Sequence, residues 1–518
     1  MNKFLQLVTL LCFVMFITVA LAGETTNRII VNADLGKEQI SKHIYGHFAE
    51  HLGNCIYGGF WVGEDSPIPN TRGIRNDVLE AMREIKPPVI RWPGGCFADT
   101  YHWKDGIGPR ANRPSIINTN WGGVTEDNSF GTHEFLDLCE LLECEPYICV
   151  NVGSGTVQEA AEWVEYINSD AVSPMTELRK KNGREKPWNV KYWAVGNESW
   201  GCGGNMTPEY YADQFKRYAT YMNAGRLYKV ASGGTDPDFA WTRTVMQKTQ
   251  AYPNLIQGYS FHYYSFCRGW NDKSSAIQFN ENDWFNTMKV TWVVDERLRQ
   301  HSSIMDEFDP NNRIGLIADE WGNWFWVEPG TNPGFLYQQN TVRDAVTAAL
   351  YLNIFNNQCR RVKMANIAQT INVLQAMLLT KDNQIVKTPT FYVFKMFKVH
   401  QDATMLPLDI QCEDYKFEKE QVPAVSASAS RDAQGKVHIS LANMNPNKNI
   451  ELSIDVRGAA KFAKSAGEII TGPAMNSYND FGKPEQVNIQ AFKDFKIKDN
   501  SLVINLPSKS VVTLELSN

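Results

Sequence analysis

The 518-residue sequence predicts an α/β fold, a (β/α)8 TIM barrel followed by a C-terminal all-β sandwich domain. Three observations lead there. Eight short apolar runs alternate with segments of helical periodicity between about residues 44 and 385. Past residue 385 that alternation gives way to runs of period two separated by turn clusters. The polar motifs of the first region sit at the carboxyl ends of its apolar runs, where a barrel carries its chemistry.

Taken in order, Met1-Asn2-Lys3 leads into a mostly apolar run from Leu7 to Ala22, and Ala20-Leu21-Ala22 before Gly23 has the A-x-A form of a cleavage site. Residues 1–22 therefore read as a signal peptide, and the mature chain is expected to be secreted or periplasmic. The run is a little short for a membrane span, and no later stretch is long and apolar enough to make one. No membrane partner is expected after cleavage. Residues 23–43 contain a short strand, Arg28 to Asn32, with no helical partner, which is expected to join the β-sandwich.

Residues 44–385 form the expected barrel. Its strand candidates are 44–50, 89–95, 146–153, 191–197, 228–234, 258–264, 313–320 and 362–369. Helical periodicity marks 74–86 (Ile74, Val78, Leu79, Met82, Ile85), 131–143, 156–168, 208–224, 282–300 and 338–357. Eight such units favour a closed barrel over an open doubly wound sheet. Residues 386–518 form the expected sandwich, with alternation over 425–430, 436–443, 450–456, 501–506 and 511–516.

A net charge of −6 without a long basic run argues against nucleic acid as a partner. Ten cysteines, less Cys12 in the leading apolar run, leave an odd number, so at least one thiol is free. Cys139, Cys144 and Cys149 recur at five-residue steps, which is no disulfide framework for so large a domain. The absence of a CxxC pair argues against structural zinc. No Gly-x-Gly-x-x-Gly, Walker pattern or Gly-x-Ser-x-Gly occurs, so a dinucleotide, a nucleoside triphosphate and an esterase triad are not indicated. No cofactor is expected.

The fourth and seventh strand candidates end in Gly196-Asn197-Glu198 and Asp319-Glu320-Trp321. Two carboxylates on two strand ends suit acid/base and nucleophile work on a glycosidic bond. An N-cap followed by a first-turn acid is the plainer reading of Asn197 and Glu198. Trp193, Trp200 and several glycines around them weigh against it. Asp319 and Glu320 alternate sides of a strand, so one of them faces the barrel mouth.

The first strand candidate ends in Glu50-His51, read as ligand-facing or bonded to neighbours. His43, His47 and His51 fall at four-residue steps, but Tyr45 and Gly46 interrupt the run and no HExxH is present, so no metal site is assigned. Arg91 inside the second strand needs a partner if buried, and an internal ion pair is at least as good a reading as substrate contact. Nothing nearby activates Cys96, which leaves it a packing or contact role. His262 reads as a partner for one of the carboxylates. Gln369, on the eighth, is either a sugar-binding amide or a satisfied polar group.

These stretches together resemble the family 51 glycoside hydrolases, the α-L-arabinofuranosidases. The resemblance runs from about Ile44 to Asn372. It is carried by Tyr45-Gly46-His47-Phe48-Ala49-Glu50-His51-Leu52-Gly53, Arg91-Trp92-Pro93-Gly94-Gly95, Trp103-Lys104-Asp105-Gly106-Ile107-Gly108-Pro109, Gly196-Asn197-Glu198 and Asp319-Glu320-Trp321. It implies Glu198 as general acid/base and Glu320 as nucleophile. It implies that Glu50, Asn197, Tyr264 and Gln369 hold the arabinofuranosyl unit, that His262 supports the nucleophile and that Trp324 is an aromatic wall. The family's more familiar pattern has Asn after Gly-Gly, whereas this chain has Cys96, which is carried as a substrate contact.

The resulting expectation is a retaining exo-acting α-L-arabinofuranosidase acting on terminal residues of arabinan, arabinoxylan or their oligosaccharides. An endo-β-1,4-glucanase or xylanase on the same barrel, a non-catalytic carbohydrate-binding protein and a hydrolase using a metal on the histidine row remain as alternatives. The sequence admits a homo-oligomer without calling for one.

Overall fold

The computed structural model describes residues 27–517. The proposed signal segment, residues 1–22, lies outside them. The eight barrel strands are Gly46–Phe48, Val89–Trp92, Glu145–Val150, Tyr192–Val195, Tyr228–Ala231, Gly258–Ser265, Gly315–Asn323 and Val362–Ile367. Each overlaps one of the apolar runs read from the sequence. They pair in parallel in chain order, and the eighth closes on the first.

The expected helices form for identifiable reasons. Asn76–Ile85 buries Val78, Leu79, Met82 and Ile85 and stops at Lys86, which takes the left-handed conformation. Pro208–Tyr221 has Pro in its first turn and Thr207 accepting from the Tyr210 N–H. Val342–Asn357 opens with Asp344 Oδ2 accepting from the Thr341 N–H at 2.7 Å. Helices Pro174–Lys181 and Phe239–Thr249 were not foreseen. Helix Pro389–Phe397 lies beyond residue 385, where the sequence reading had helical structure end. Its run of Phe391, Tyr392, Val393 and Phe394 is buried nearly all round and has no polar face to give periodicity.

Two antiparallel-rich sheets follow the barrel. One runs in the order Leu408–Gln411, Arg28–Asn32, Ile450–Arg457, Ser501–Leu506, Phe495–Lys498. The strand Arg28–Asn32 thus pairs with segments from the far end of the chain, in parallel with Ile450–Arg457 and antiparallel to Leu408–Gln411. The second sheet centres on Val425–Arg431, Val437–Asn443 and Ser510–Ser517.

That second sheet has no solvated face where it meets the barrel. Ser426, Ser428 and Ser430 alternate with apolar residues, as an exposed face would, yet all three are buried. Helix Val342–Asn357 covers Ser426 and Ser428, and Ser430 Oγ lies 2.7 Å from His400 Nδ1. Asn353 Nδ2 donates to Ser426 Oγ at 3.2 Å and Asn356 Nδ2 to Ser428 Oγ at 3.1 Å. The helix is consequently buried on every side. The seam is polar but satisfied, which keeps its burial affordable.

Candidate active site

The site forms where the fourth, sixth and seventh strands end. Glu198 follows the fourth strand in a tight turn. Gly196 has φ 83° and Glu198 itself φ 39°, a left-handed conformation that strains a residue with a side chain. Backbone bonds hold the turn, with the Gly201 and Gly203 N–H groups donating to the Glu198 carbonyl at 2.8 and 3.1 Å. Gly203 cannot carry a side chain, since a Cβ there would meet the Asn197 carbonyl oxygen at 1.9 Å. Asp99 fastens the turn from the second strand side, accepting from the Asn197 N–H at 3.0 Å and from Val152 and Gly153 at 2.8 Å each. Burial pushes the Asp99 carboxyl up to about 7, with those three N–H groups pulling the other way.

Glu320 ends up facing Glu198. Register shifts between Ser260 and His262 and between Ala318 and Trp321 aim the two acids of the seventh strand. Asp319 turns inward, where Tyr147 Oη donates to it at 2.7 Å and Ser260 Oγ at 2.5 Å. Burial alone would raise its carboxyl, but Arg91 and His262 hold it down to about 2. Glu320 points into the cavity and accepts from Arg91 Nη1 at 2.7 Å and Tyr264 Oη at 2.8 Å. Arg91 Nη2 donates to Asn197 Oδ1 at 2.6 Å. The buried arginine of the second strand is therefore an ion-pair partner, and it links the ends of the fourth and seventh strands.

His262 lies among three carboxylates. Its Nδ1 is 3.0 Å from Glu198 Oε1 and 3.5 Å from Glu320 Oε2, and its Nε2 is 3.3 Å from Asp319 Oδ1. Burial opposes a charge on the ring, yet Glu320, Asp319 and Glu198 outweigh it and raise the pKa to about 10. The ring thus donates from both nitrogens. The resemblance implied support for the nucleophile, but the shorter contact is to Glu198. Polar oxygens of Glu198 and Glu320 and the His262 nitrogen all lie within 4.8 Å of one another.

Glu50 and Gln369 meet beyond Glu320. Gln369 Nε2 donates to Glu50 Oε2 at 3.0 Å. Glu50 Oε1 accepts from the Gly95 and Phe97 N–H groups at 3.1 Å each and from Trp121 Nε1 at 2.9 Å. Burial, then the charge of Glu320, raises the Glu50 carboxyl to about 7 despite those bonds. His51 points away from the cavity. Its Nε2 accepts from Trp92 Nε1 at 3.0 Å, which places the ring proton on Nδ1, 2.8 Å from Glu126. His43 packs on Tyr192 and His47 on Phe394, so the three histidines do not converge.

Cys96 lines the cavity, but as half of a disulfide with Cys202, Cα–Cα 5.4 Å. Cys202 Sγ lies 3.7 Å from Glu198 Oε2. The sequence reading had no partner for Cys96. Cys139, Cys144 and Cys149 are free, in line with that reading. All the residues named as site candidates except Asn197 line one cavity of about 740 Å³, and Asn197 is bonded to Arg91 directly behind it. Arg91, Asp99, Asp319, Trp121 and Cys202 also build this site. Of these, Arg91 was legible as a charge in an apolar strand, and Cys202 as a second cysteine between glycines.

A closed barrel with two facing carboxylates at the carboxyl ends of its fourth and seventh strands defines a glycoside hydrolase. Residues 81–283 match the family model Alpha-L-arabinofuranosidase 1 domain, and residues 319–510 match Alpha-L-arabinofuranosidase C-terminal domain. The chain is 54% identical over 96% of its length, and 97% of the relative's, to a Bacteroides ovatus protein named Intracellular exo-alpha-L-arabinofuranosidase. The crystal structure of the GH51 arabinofuranosidase from Xanthomonas axonopodis pv. citri superposes with a TM-score of 0.93 at 46% identity, covering 95% of this chain and 100% of that one. An α-L-arabinofuranosidase from Thermotoga maritima, solved as an arabinose complex, follows with a TM-score of 0.83 at 31% identity, covering 95% and 99%. The chain belongs to the α-L-arabinofuranosidases of glycoside hydrolase family 51.

One expectation is corrected by these relatives. The sequence reading placed the chain outside the cytoplasm as a secreted or periplasmic protein, whereas the 54% identical relative is named intracellular over an alignment of nearly the whole chain. An apolar, lysine-led start with an A-x-A triplet matches the form of a signal without establishing export.

Proposed function

We propose that the chain is a retaining, exo-acting α-L-arabinofuranosidase that releases terminal α-L-arabinofuranosyl units from arabinan, arabinoxylan or their oligosaccharides. The observation that carries this is the approach of Glu198 and Glu320 to within 4.8 Å. A retaining pair stands about 5–5.5 Å apart and an inverting pair about 6.5–9.5 Å, which leaves room for a water. Glu320, oriented by the bonds it accepts from Arg91 and Tyr264, attacks the anomeric carbon. Glu198 gives its proton to the leaving oxygen, then takes one from the incoming water. His262 Nδ1–H occupies Glu198 Oε1, which leaves Oε2 to handle that proton.

Exo action is supported by the buried Glu50–Gln369 pair at the inner end of the cavity. A terminal furanosyl ring finds hydroxyl partners there in a buried carboxylate and amide. Tyr264 and Trp324 complete the reading as a sugar contact and a wall, and Asn197 braces Arg91 from behind the cavity.

The test is a panel of aryl arabinofuranosides, xylosides and glucosides, with the product anomer followed by NMR. Hydrolysis of the arabinofuranoside with net retention is expected, and Glu320→Ala should be inactive until azide replaces the missing carboxylate. Cleavage of polymeric glucan or xylan in place of the arabinofuranoside would reject the reading, and so would an inverted product.

A further inference from the structure

The cavity of about 740 Å³ is larger than one furanosyl ring requires. Glu50 and Gln369 occupy its inner end. Its lining continues past Glu198 to Trp200, beyond the fourth strand, and to Thr235 and Asp236, beyond the fifth, which is the side from which Glu198 would protonate a leaving group. The segment joining the sixth strand to helix Glu281–Phe308 lines the cavity next, with Phe266 and Trp270 among its lining residues.

Trp270 is 59% exposed, an unusual state for an indole beside a cavity. It is nevertheless held in place. Lys273 Nζ sits 4.0 Å from its ring centroid and donates to the Trp270 carbonyl at 2.7 Å. Phe266 and Trp324 meet the ring edge-on at 5.4 and 5.3 Å. The segment itself is pinned. Arg268 pairs with Asp272 and Asp283. Arg343, sandwiched between Phe279 and Phe325 at 3.7 Å from each ring, donates to the Ser275 and Ala276 carbonyls. A preorganised indole, packed on one side and open on the other, binds the apolar face of a sugar with little ordering left to do.

We propose that Trp270 is the stacking platform of a distal leaving-group subsite, which takes a sugar beyond the one attached to the scissile bond, and that Lys273 is the residue that positions it. This rests on the arabinofuranosidase reading above. It makes the enzyme sensitive to the length of the chain that carries the terminal unit.

The experiment compares wild type, Trp270→Ala, Trp270→Phe and Lys273→Met on arabino-oligosaccharides from dimer to hexamer. For wild type, kcat/KM should climb beyond the dimer. Trp270→Ala should lower it about three- to tenfold on the longer oligomers, through KM, and leave the dimer unchanged. Trp270→Phe should restore most of the loss, and Lys273→Met should resemble Trp270→Ala. Equal losses at every length, or no loss on the hexamer, would overturn the subsite while leaving the activity intact. Wild type inactive on every arabinofuranoside would instead bring down the activity reading, and this subsite with it.

Discussion

Arg91 Nη1 bonds Glu320 Oε1 at 2.7 Å in a setting where both side chains are almost fully buried. The same guanidinium reaches Asn197, so one residue fixes the spacing between two strand ends. Arg91→Met would leave Asp319 and Glu320 buried with His262 as their one remaining cationic partner among the described residues. A stability loss of about 3–5 kcal/mol is expected, together with a large fall in kcat. Urea unfolding measures the first, and a loss under about 1 kcal/mol would contradict the role given to the pair.

His262 makes stability depend on pH. Its folded pKa of about 10 stands above the ordinary 6.5, so folding favours the imidazolium. That contribution is fully present below about pH 6.5 and fades as the pH rises towards 10. His262→Gln should therefore be most destabilising in mildly acidic buffer, with the gap to wild type closing on the alkaline side. A gap that widened with pH would show that the ring is neutral in the fold.

Glu50 acts in the same sense, over a lower pH range. Its carboxyl is raised to about 7, so the folded state holds its proton more tightly than the unfolded chain does. Wild type should lose stability between about pH 4.5 and 7 as this buried acid ionises beside Glu320. Glu50→Gln should show no such decline, and the inflection near pH 7 in kcat/KM should vanish with it. Parallel pH profiles for the two proteins would assign the titration elsewhere.

The Cys96–Cys202 bond closes a loop of 106 residues and ties the end of the second strand to the turn that carries Glu198. Cys202→Ser should cost about 2–4 kcal/mol. A dithiol reductant should lower the melting temperature of wild type and leave that of Cys202→Ser unchanged. Loss of the same amount from both would mean that the reductant acts at another site.

Much of this was legible in the chain because the barrel's strands are short, apolar and end in polar motifs. Glu198, Glu320, Glu50 and Gln369 each announce themselves by breaking such a run. The omissions have physical causes. Helix Pro174–Lys181 buries only Thr176 and Arg179 and so has no apolar stripe to read. Trp121 reaches Glu50 from a hairpin whose pairing no local pattern specifies. The joining of Cys96 to Cys202 depends on two loops meeting in space, which spacing along the chain does not encode. Serines at 426, 428 and 430 look like a solvated face because polarity alone cannot tell water from the amides of Asn353 and Asn356 and the ring of His400.

The strand Arg28–Asn32 is the first of the described strands to be made, and its partners Leu408–Gln411 and Ile450–Arg457 are made only after the whole barrel. At about 5–20 residues per second, a ribosome leaves that edge without a neighbour for roughly 20–80 s. The barrel can close during this wait, while the nascent N-terminus offers an unpaired ribbon to any other chain nearby. That sheet can therefore be completed only after the barrel has been made.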